Sequence, residues 1–211
     1  MLGAGGHAKV VVEALLTMGH IVSGLVAPER EGTWLLDVPL LGNDDVLPRL
    51  RAEGIADAAL GVGDNRLRGL LAGRLLAFGF NLPCVLHSAA WISPSSVLGE
   101  GVVVLQKAAL SADTKYGRAA LINSGAIVEH DSDIGEAAHI APGCVLGGNV
   151  RVGARTLVGI GSVVRPEIVI GSDVIVGAGS VVVSDVPTGS EVMGCPARPR
   201  ARGTAFTELA T

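Results

Sequence analysis

The sequence predicts two domains of different class. A small α/β domain with a parallel sheet is expected over residues 1–84, an all-β parallel β-helix of six-residue repeats over 85–187, and a tail over 188–211. Two observations carry the second domain. Stepping by six from Leu86 to Val182 meets an aliphatic residue at sixteen of seventeen positions, Tyr116 being the exception. Leu, Ile and Val number 64 in 211 residues, so chance would give about five. Two residues before each step, a second register holds mostly small or β-branched residues such as Ala90, Ser96, Ala108, Thr114, Ala126, Ser132 and Cys144. A third observation sets the first eighty-odd residues apart: they lack this period and alternate helical with strand-like stretches.

In chain order, Gly3-Ala4-Gly5-Gly6-His7-Ala8 opens a helix over Lys9 to Met18. Ile21 to Ala27 reads as a strand, Asp44 to Glu53 as a helix, Ala58 to Val62 as a buried strand and Asn65 to Phe78 as a helix. Leu82 to Leu86 then leads into the repeats. The loop has the G-x-G-x-x-A spacing of a Rossmann-like turn, where bare backbone and a helix N-terminus can receive a phosphate; a tight strand-to-helix turn needs glycine in any case. Only Met1 and Leu2 stand before it, which leaves its first strand missing from the sequence or its start misplaced. The place for an acid on a nicotinamide-type ribose reads Val26-Ala27-Pro28, so that cofactor is not supported.

In the repeat, each hexapeptide supplies one short strand and one turn. The aliphatic and the small residue point inward, and the residue between them outward. Three hexapeptides make an eighteen-residue triangular coil, and coils stack at roughly 4.8 Å. Glycine follows many steps, at Gly99, Gly117, Gly135, Gly147, Gly153, Gly159, Gly171 and Gly177, and is expected where turns need positive φ. A β-sandwich would not hold a fixed period of six.

Composition excludes several classes. The chain is 49% hydrophobic and 17% charged, unlike a disordered chain. Its net charge of -4 gives no basic surface for a nucleic-acid backbone. Cys84, Cys144 and Cys195 have neither zinc nor disulfide spacing, so a reducing, cytoplasmic location is expected. Apolar runs are broken by Gly, Asn or Ser, and neither membrane insertion nor a signal peptide is expected.

Four stretches together resemble one family: Gly3 to Val11, Gly63-Asp64-Asn65-Arg66-Leu67-Arg68, Ile122 to Asp131, and Gly194-Cys195-Pro196-Ala197. Over residues 3 to about 198 the chain is similar to the hexapeptide-repeat nucleotide-sugar N-acetyltransferases of bacterial glycan synthesis, such as those acting on UDP-linked 4-amino sugars and GDP-perosamine, with sialic acid O-acetyltransferase-like relatives. The resemblance implies a left-handed β-helix, a homotrimer with sites between neighbouring prisms, acetyl-CoA as co-substrate and a nucleotide-activated amino sugar on the N-terminal domain. It puts Gly5, Gly6, His7 and Gly63 at the nucleotide-sugar, His130 as catalytic base with Asp131 as partner, and His139 at acetyl-CoA. The stretch from Gly63 to Arg68 makes GDP-perosamine the slight favourite. Relatives often carry an acidic pair where this chain has Ala27-Pro28.

The residues themselves speak to the same chemistry. Amide formation from an amine and a thioester needs a base and donors for the oxyanion. His130 lies two after Val128, hence outside the prism, between Glu129 and Asp131; a carboxylate beside it can orient the ring and raise its basicity. His20 and His87 read as structural. His139, nine residues on from His130, cannot share its face, so a site using both needs two chains. Gly148 follows His130 by one coil and can present its amide to the thioester oxygen. Asn123 is a side-chain donor on the sugar side. Ile160 is an outward aliphatic that wants cover from a neighbouring chain or the pantetheine arm, and Gly177 and Ala178 leave room for a thin ligand. Arg198, Arg200 and Arg202 can meet CoA phosphates or simply be solvated. Cys144 is inward, which argues against a thiol nucleophile and for direct transfer. No metal is expected. A sugar O-acetyltransferase uses the same base and groove; a γ-class carbonic anhydrase needs three His ligands, and a non-enzymatic solenoid a regular outward row of Thr, neither of which the repeats supply.

Overall fold

Residues 1–28 and 36–200 are described by the computed structural model. In the N-terminal domain the small sheet is parallel. Leu40–Gly42 (β2) pairs with Leu25–Val26 (β1), and Leu2 bridges both Val26 and Leu60. The strands expected over 21–27 and 58–62 are shorter than their apolar runs. A ladder is only as deep as its neighbour, and among the described residues Leu2 alone bridges these two segments. The first helix, α1 (Gly6–Thr17), buries Ala8, Val11, Val12, Ala14 and Leu15. Gly3 turns the chain into it at φ +108, where a Cβ would also lie 2.6 Å from the Gly61 carbonyl oxygen. The helix expected at 44–53 divides into a 3₁₀ turn, Asp44–Val46, and α2 (Leu47–Ala52). The third helix, α3 (Asn65–Ala77), is capped by Asp64, whose Oδ1 accepts from the Leu67 amide at 2.7 Å.

From Val85 the chain winds as a prism. Each two-residue strand pairs in parallel with the strand eighteen residues on, as Ile127 with Val145, Asp133 with Arg151 and His139 with Leu157. Both inward registers are buried from Val102 on and half-buried in the first coil, and Tyr116 takes its inward place with them. Inward hydroxyls bond to the coil backbone: Thr156 Oγ1 donates to the Gly171 carbonyl at 2.6 Å and Ser162 Oγ to that of Gly177 at 3.0 Å. The stack continues past 187, since Glu191–Met193 pairs with Ile175–Val176 and Arg198–Pro199 folds back on it antiparallel.

The three faces differ outside. On the first, Val85, Val103 and Leu121 are buried under Val11, Ala14 and Leu15 of α1, and His139, Leu157 and Ile175 continue the same column. On the second, the outward column is Trp91, Ala109, Ile127, Val145, Val163 and Val181, apolar throughout. The third carries Val97, Lys115, Asp133, Arg151 and Val169.

The corners correct one expectation. Positive φ recurs at 101, 107, 113, 119 and every sixth residue to 179, and nine of these corner residues are not glycine, Asp131 (φ 61) and Asn149 (φ 55) among them. The glycines that follow the inward aliphatics answer a different need. A Cβ at Gly135 would lie 2.6 Å from the Ala154 amide nitrogen, and at Gly117 2.5 Å from that of Glu136. They let coils approach rather than let the chain turn.

Candidate active site

Two clusters of chemistry stand on the prism, one at each edge of the second face. The first lies at the corner between the second and third faces. Val128 points inward and the chain turns through Glu129, His130 and Asp131, Asp131 taking the left-handed conformation that Asp113, Asn149 and Glu167 take at the same corner. His130 Nδ1 and Asp131 Oδ2 are 2.8 Å apart. The carboxylate fixes the proton on Nδ1 and leaves Nε2 as the basic nitrogen, an assignment made from the hydrogen bond. That bond, with the Asp131 and Glu129 charges, raises the His130 pKa above its ordinary value. The side chain is 63% exposed. Glu129 is held from the preceding coil, where Ser111 Oγ donates to its Oε2 at 3.1 Å. Directly along the stack the ring lies over Gly148, where a Cβ would be 2.7 Å from His130 Nε2.

The second cluster lies where the N-terminal domain meets the first face. Gly5 caps α1 with no side chain bonded to its first turn, and a Cβ at Gly5 or Gly6 would meet only open space. His7 stands beside Gly63, a Cβ there being 4.0 Å from the His7 Cβ. His139 Nε2 is 3.0 Å from Asn123 Nδ2, so it accepts from the amide. Burial, then the Arg68 cation, pushes His7 down to about 4. Burial, Arg68 and His7 push His139 down to about 3. Both imidazoles are neutral at physiological pH, and His7 Nε2 is buried without a hydrogen-bond partner. Gly63, Asn65, His139, Arg155 and Asp173 line a cleft of about 240 Å³ under α3.

The structure therefore brings Gly5, Gly6, His7, Gly63, Asn123 and His139 to one junction. It leaves His130, Asp131 and Gly148 across the width of the second face. Ile160 is 61% exposed, at the same corner as Asn123. Gly177 has a reason inside the chain, since a Cβ there would lie 2.8 Å from the Met193 Cβ; Ala178 beside it is exposed. Arg200 pairs with Glu191 at 2.8 Å, and Arg202 lies outside the described residues. Pro28 lines an open cleft with Asn43, Asp44, Asp45 and Arg74, so carboxylates reach the end of β1 from the turn after β2. Among the described residues no three His, Cys, Asp or Glu side chains converge to hold a metal ion.

Sequence reasoning missed Arg68, which is wholly buried at the domain junction. A lone arginine on a helix reads as solvated surface. The available signal was Gly69 beside it, which lets α3 approach the prism so closely that a Cβ there would sit 3.2 Å from the Ala137 Cβ.

Comparison with known proteins agrees with this architecture. Residues 1–75 match the PglD N-terminal domain family. No curated protein sequence matches the chain. Perosamine N-acetyltransferase from Caulobacter crescentus, solved with CoA and GDP-perosamine, is 43% identical over 95% of either chain, with a TM-score of 0.92. The acetyltransferase domain of PglB from Neisseria gonorrhoeae, solved with acetyl coenzyme A, is 36% identical over 94% of this chain and 97% of that one, with a TM-score of 0.88. WeeI from Acinetobacter baumannii is 25% identical over the same shares, with a TM-score of 0.81. With its repeat, its Gly-rich α/β domain and this likeness over nearly its whole length, the chain belongs to the hexapeptide-repeat nucleotide-sugar N-acetyltransferases, which are acetyl-CoA-dependent acyltransferases.

Proposed function

We propose that this enzyme transfers the acetyl group of acetyl-CoA to the amine of a nucleotide-linked 4-amino-4,6-dideoxy sugar, with GDP-perosamine as the first candidate. The observation that carries the chemistry is the His130–Asp131 pair lying over Gly148. The neutral sugar amine attacks the thioester carbonyl carbon. His130 Nε2 takes the proton that the nitrogen sheds, and Asp131 stabilises the imidazolium through Nδ1. The oxygen of the tetrahedral intermediate takes a hydrogen bond from the Gly148 amide. Collapse breaks the C–S bond, and the proton on His130 leaves with the CoA thiolate as free thiol. Cys144 is buried with its thiol pKa raised, which supports direct transfer without an acyl-enzyme.

The acceptor rests on Gly5, Gly6, His7 and Gly63, with Asn123 on the sugar side. The donor runs along the prism past Ile160 and Ala178, with His139 at its acetyl end. Because one chain separates these groups from His130 by a full face, two chains build each site. The apolar second face, from Trp91 to Val181, is the surface on which copies meet in a homotrimer. The domains divide as 1–84, 85–187 and 188–211, the last including the closing coil. A cytoplasmic location and a part in bacterial glycan synthesis belong to the same proposal.

The test is CoA release against UDP-, GDP- and dTDP-linked 4-amino-4,6-dideoxy sugars, with His130→Ala beside the wild type. Turnover of one amine, reduced roughly 10²- to 10⁴-fold in the variant, is expected. Turnover of a hydroxyl acceptor alone would move the enzyme to sugar O-acetylation with the same base.

A further inference from the structure

Arg68 is the largest wholly buried side chain among the described residues, and it lies behind the second cluster without lining its cleft. Its guanidinium makes six hydrogen bonds to two sets of acceptors. One set is the loop before α3: the carbonyls of Val62 at 3.3 Å and Gly63 at 3.0 Å, and Asn65 Oδ1 at 2.9 Å. The other is the prism: the carbonyls of Ala119 at 2.9 Å, Ala137 at 2.8 Å and Ala138 at 3.3 Å. Burial lowers the Arg68 pKa to about 10, so the side chain is still a cation at neutral pH. It is surrounded by carbonyl oxygens and neighboured by two neutral imidazoles.

The prism acceptors form a series. Ala119, Ala137, Arg155 and Asp173 recur every eighteen residues at one corner, with φ of 56, 51, 59 and 54. The first turn of α3 touches all four. Arg68 binds the first two, Asn65 Nδ2 donates to the Arg155 carbonyl at 3.0 Å, and Arg66 pairs with Asp173 at 2.8 Å. Successive coils offer nearly the same corner about 4.8 Å apart. Apolar packing covers one part of the prism's height, where α1 lies on Val85, Val103 and Leu121, and the next outward residue of the column is His139. The carbonyls that Arg68 and Asn65 bind recur from coil to coil, so among these rungs it is the Arg66–Asp173 pair that tells one coil from the next. Ala119 opens the coil that holds Asn123 and His130, and Ala137 opens the one that holds His139 and Gly148.

We propose that Arg68 is a positioning residue: with Asn65 it ties the Gly63 loop to the prism corner, on the coil that the Arg66–Asp173 pair marks, and so fixes the height of that loop relative to His130. This rests on the reading of that loop as nucleotide-sugar platform.

The test uses the full chain with Arg68→Met, Arg68→Lys and Asn65→Ala. It measures kcat, KM for acetyl-CoA, KM for the nucleotide sugar that the wild type turns over, and amide exchange over residues 62–65. Arg68→Met is expected to raise KM for the sugar and lower kcat at least tenfold, with KM for acetyl-CoA within twofold. Exchange at 62–65 rises while the coil amides keep their protection. Lysine restores little, because a single ammonium cannot span both sets of acceptors. A variant that melts earlier but keeps both KM values and the protection at 62–65 overturns the proposal. If Arg68→Met does not fold, Asn65→Ala must show the same split at smaller amplitude; equal movement of both KM values, or of neither, overturns it. Should the wild type turn over no nucleotide sugar, the assigned function fails, and exchange at 62–65 alone still decides the seat.

Discussion

Replacing Gly148 by alanine adds one methyl group to a backbone that accepts it, since its φ is not among the positive ones. The new Cβ would lie 2.6 Å from His130 Cε1 and 2.7 Å from Nε2. Ordinary contact begins near 3.4 Å, so the ring must retreat by about 0.8 Å. His130 is more than half exposed and can swing outward without disturbing the core, so unfolding should shift by less than about 1 kcal/mol. The reaction is less forgiving: a displacement of about 1 Å at a reacting group costs on the order of 10²-fold, or about 2.7 kcal/mol of transition-state stabilisation. Gly148→Ala is therefore expected to lower kcat between tenfold and a hundredfold at nearly unchanged Tm. Steady-state CoA release and thermal unfolding on one preparation read both numbers. Retention of kcat within twofold would refute the reasoning, because the methyl and the ring cannot share that space.

Three further outcomes follow from the same geometry. Asp131 raises the His130 pKa and the base works unprotonated, so Asp131→Asn should move the acid limb of the kcat/KM profile to lower pH; a limb that stays put would remove Asp131 from the mechanism. His7 and His139 have folded pKa values depressed to about 4 and about 3, below the ordinary 6.5. The unfolded chain alone takes up protons as pH falls from 6.5 through that window, so stability is lost there, and His139→Gln should flatten the fall of Tm across it. Val163→Asp puts a charge into the apolar second face, and light scattering should then report monomers with CoA release lost; an unchanged mass would exclude that face as the contact between copies.

The prism was legible because its core is one-dimensional: every inward position answers to the same stacking constraint, and a fixed period exposes it. The N-terminal strands were less so, because apolar runs report burial while ladder length depends on a neighbour, and among the described residues only Leu2 bridges Val26 and Leu60. The glycines after the inward aliphatics misled for a similar reason. Gly135 and Gly153 announce special backbone, but whether the need is positive φ or a close neighbour is decided by the next coil, eighteen residues away. His130 was legible from its outward place beside two acids. The setting of His139 was not, since its partners Arg68 and His7 come from the other domain.

A repeat that makes every coil alike cannot by itself mark one coil for catalysis. The conformation of Asp131 is no signal, because eight other non-glycine corners share it. A coil that carries catalysis must be distinguished by departures from the repeat. Gly148 departs by offering bare backbone next to a ring, and His130 by placing a titratable group at a corner where the chain elsewhere has Ala112 or Pro166. Those departures mark a height on the prism, and a ligand brought by another domain must arrive at that height. Apolar contact seats α1 on Val85, Val103 and Leu121, and the Gly63 loop lies beyond it. A polar ladder from one helical turn to four coils ties the Gly63 loop at that height, and for that reason a fully buried cation is retained at Arg68, where a well-packed aliphatic would serve stability as well.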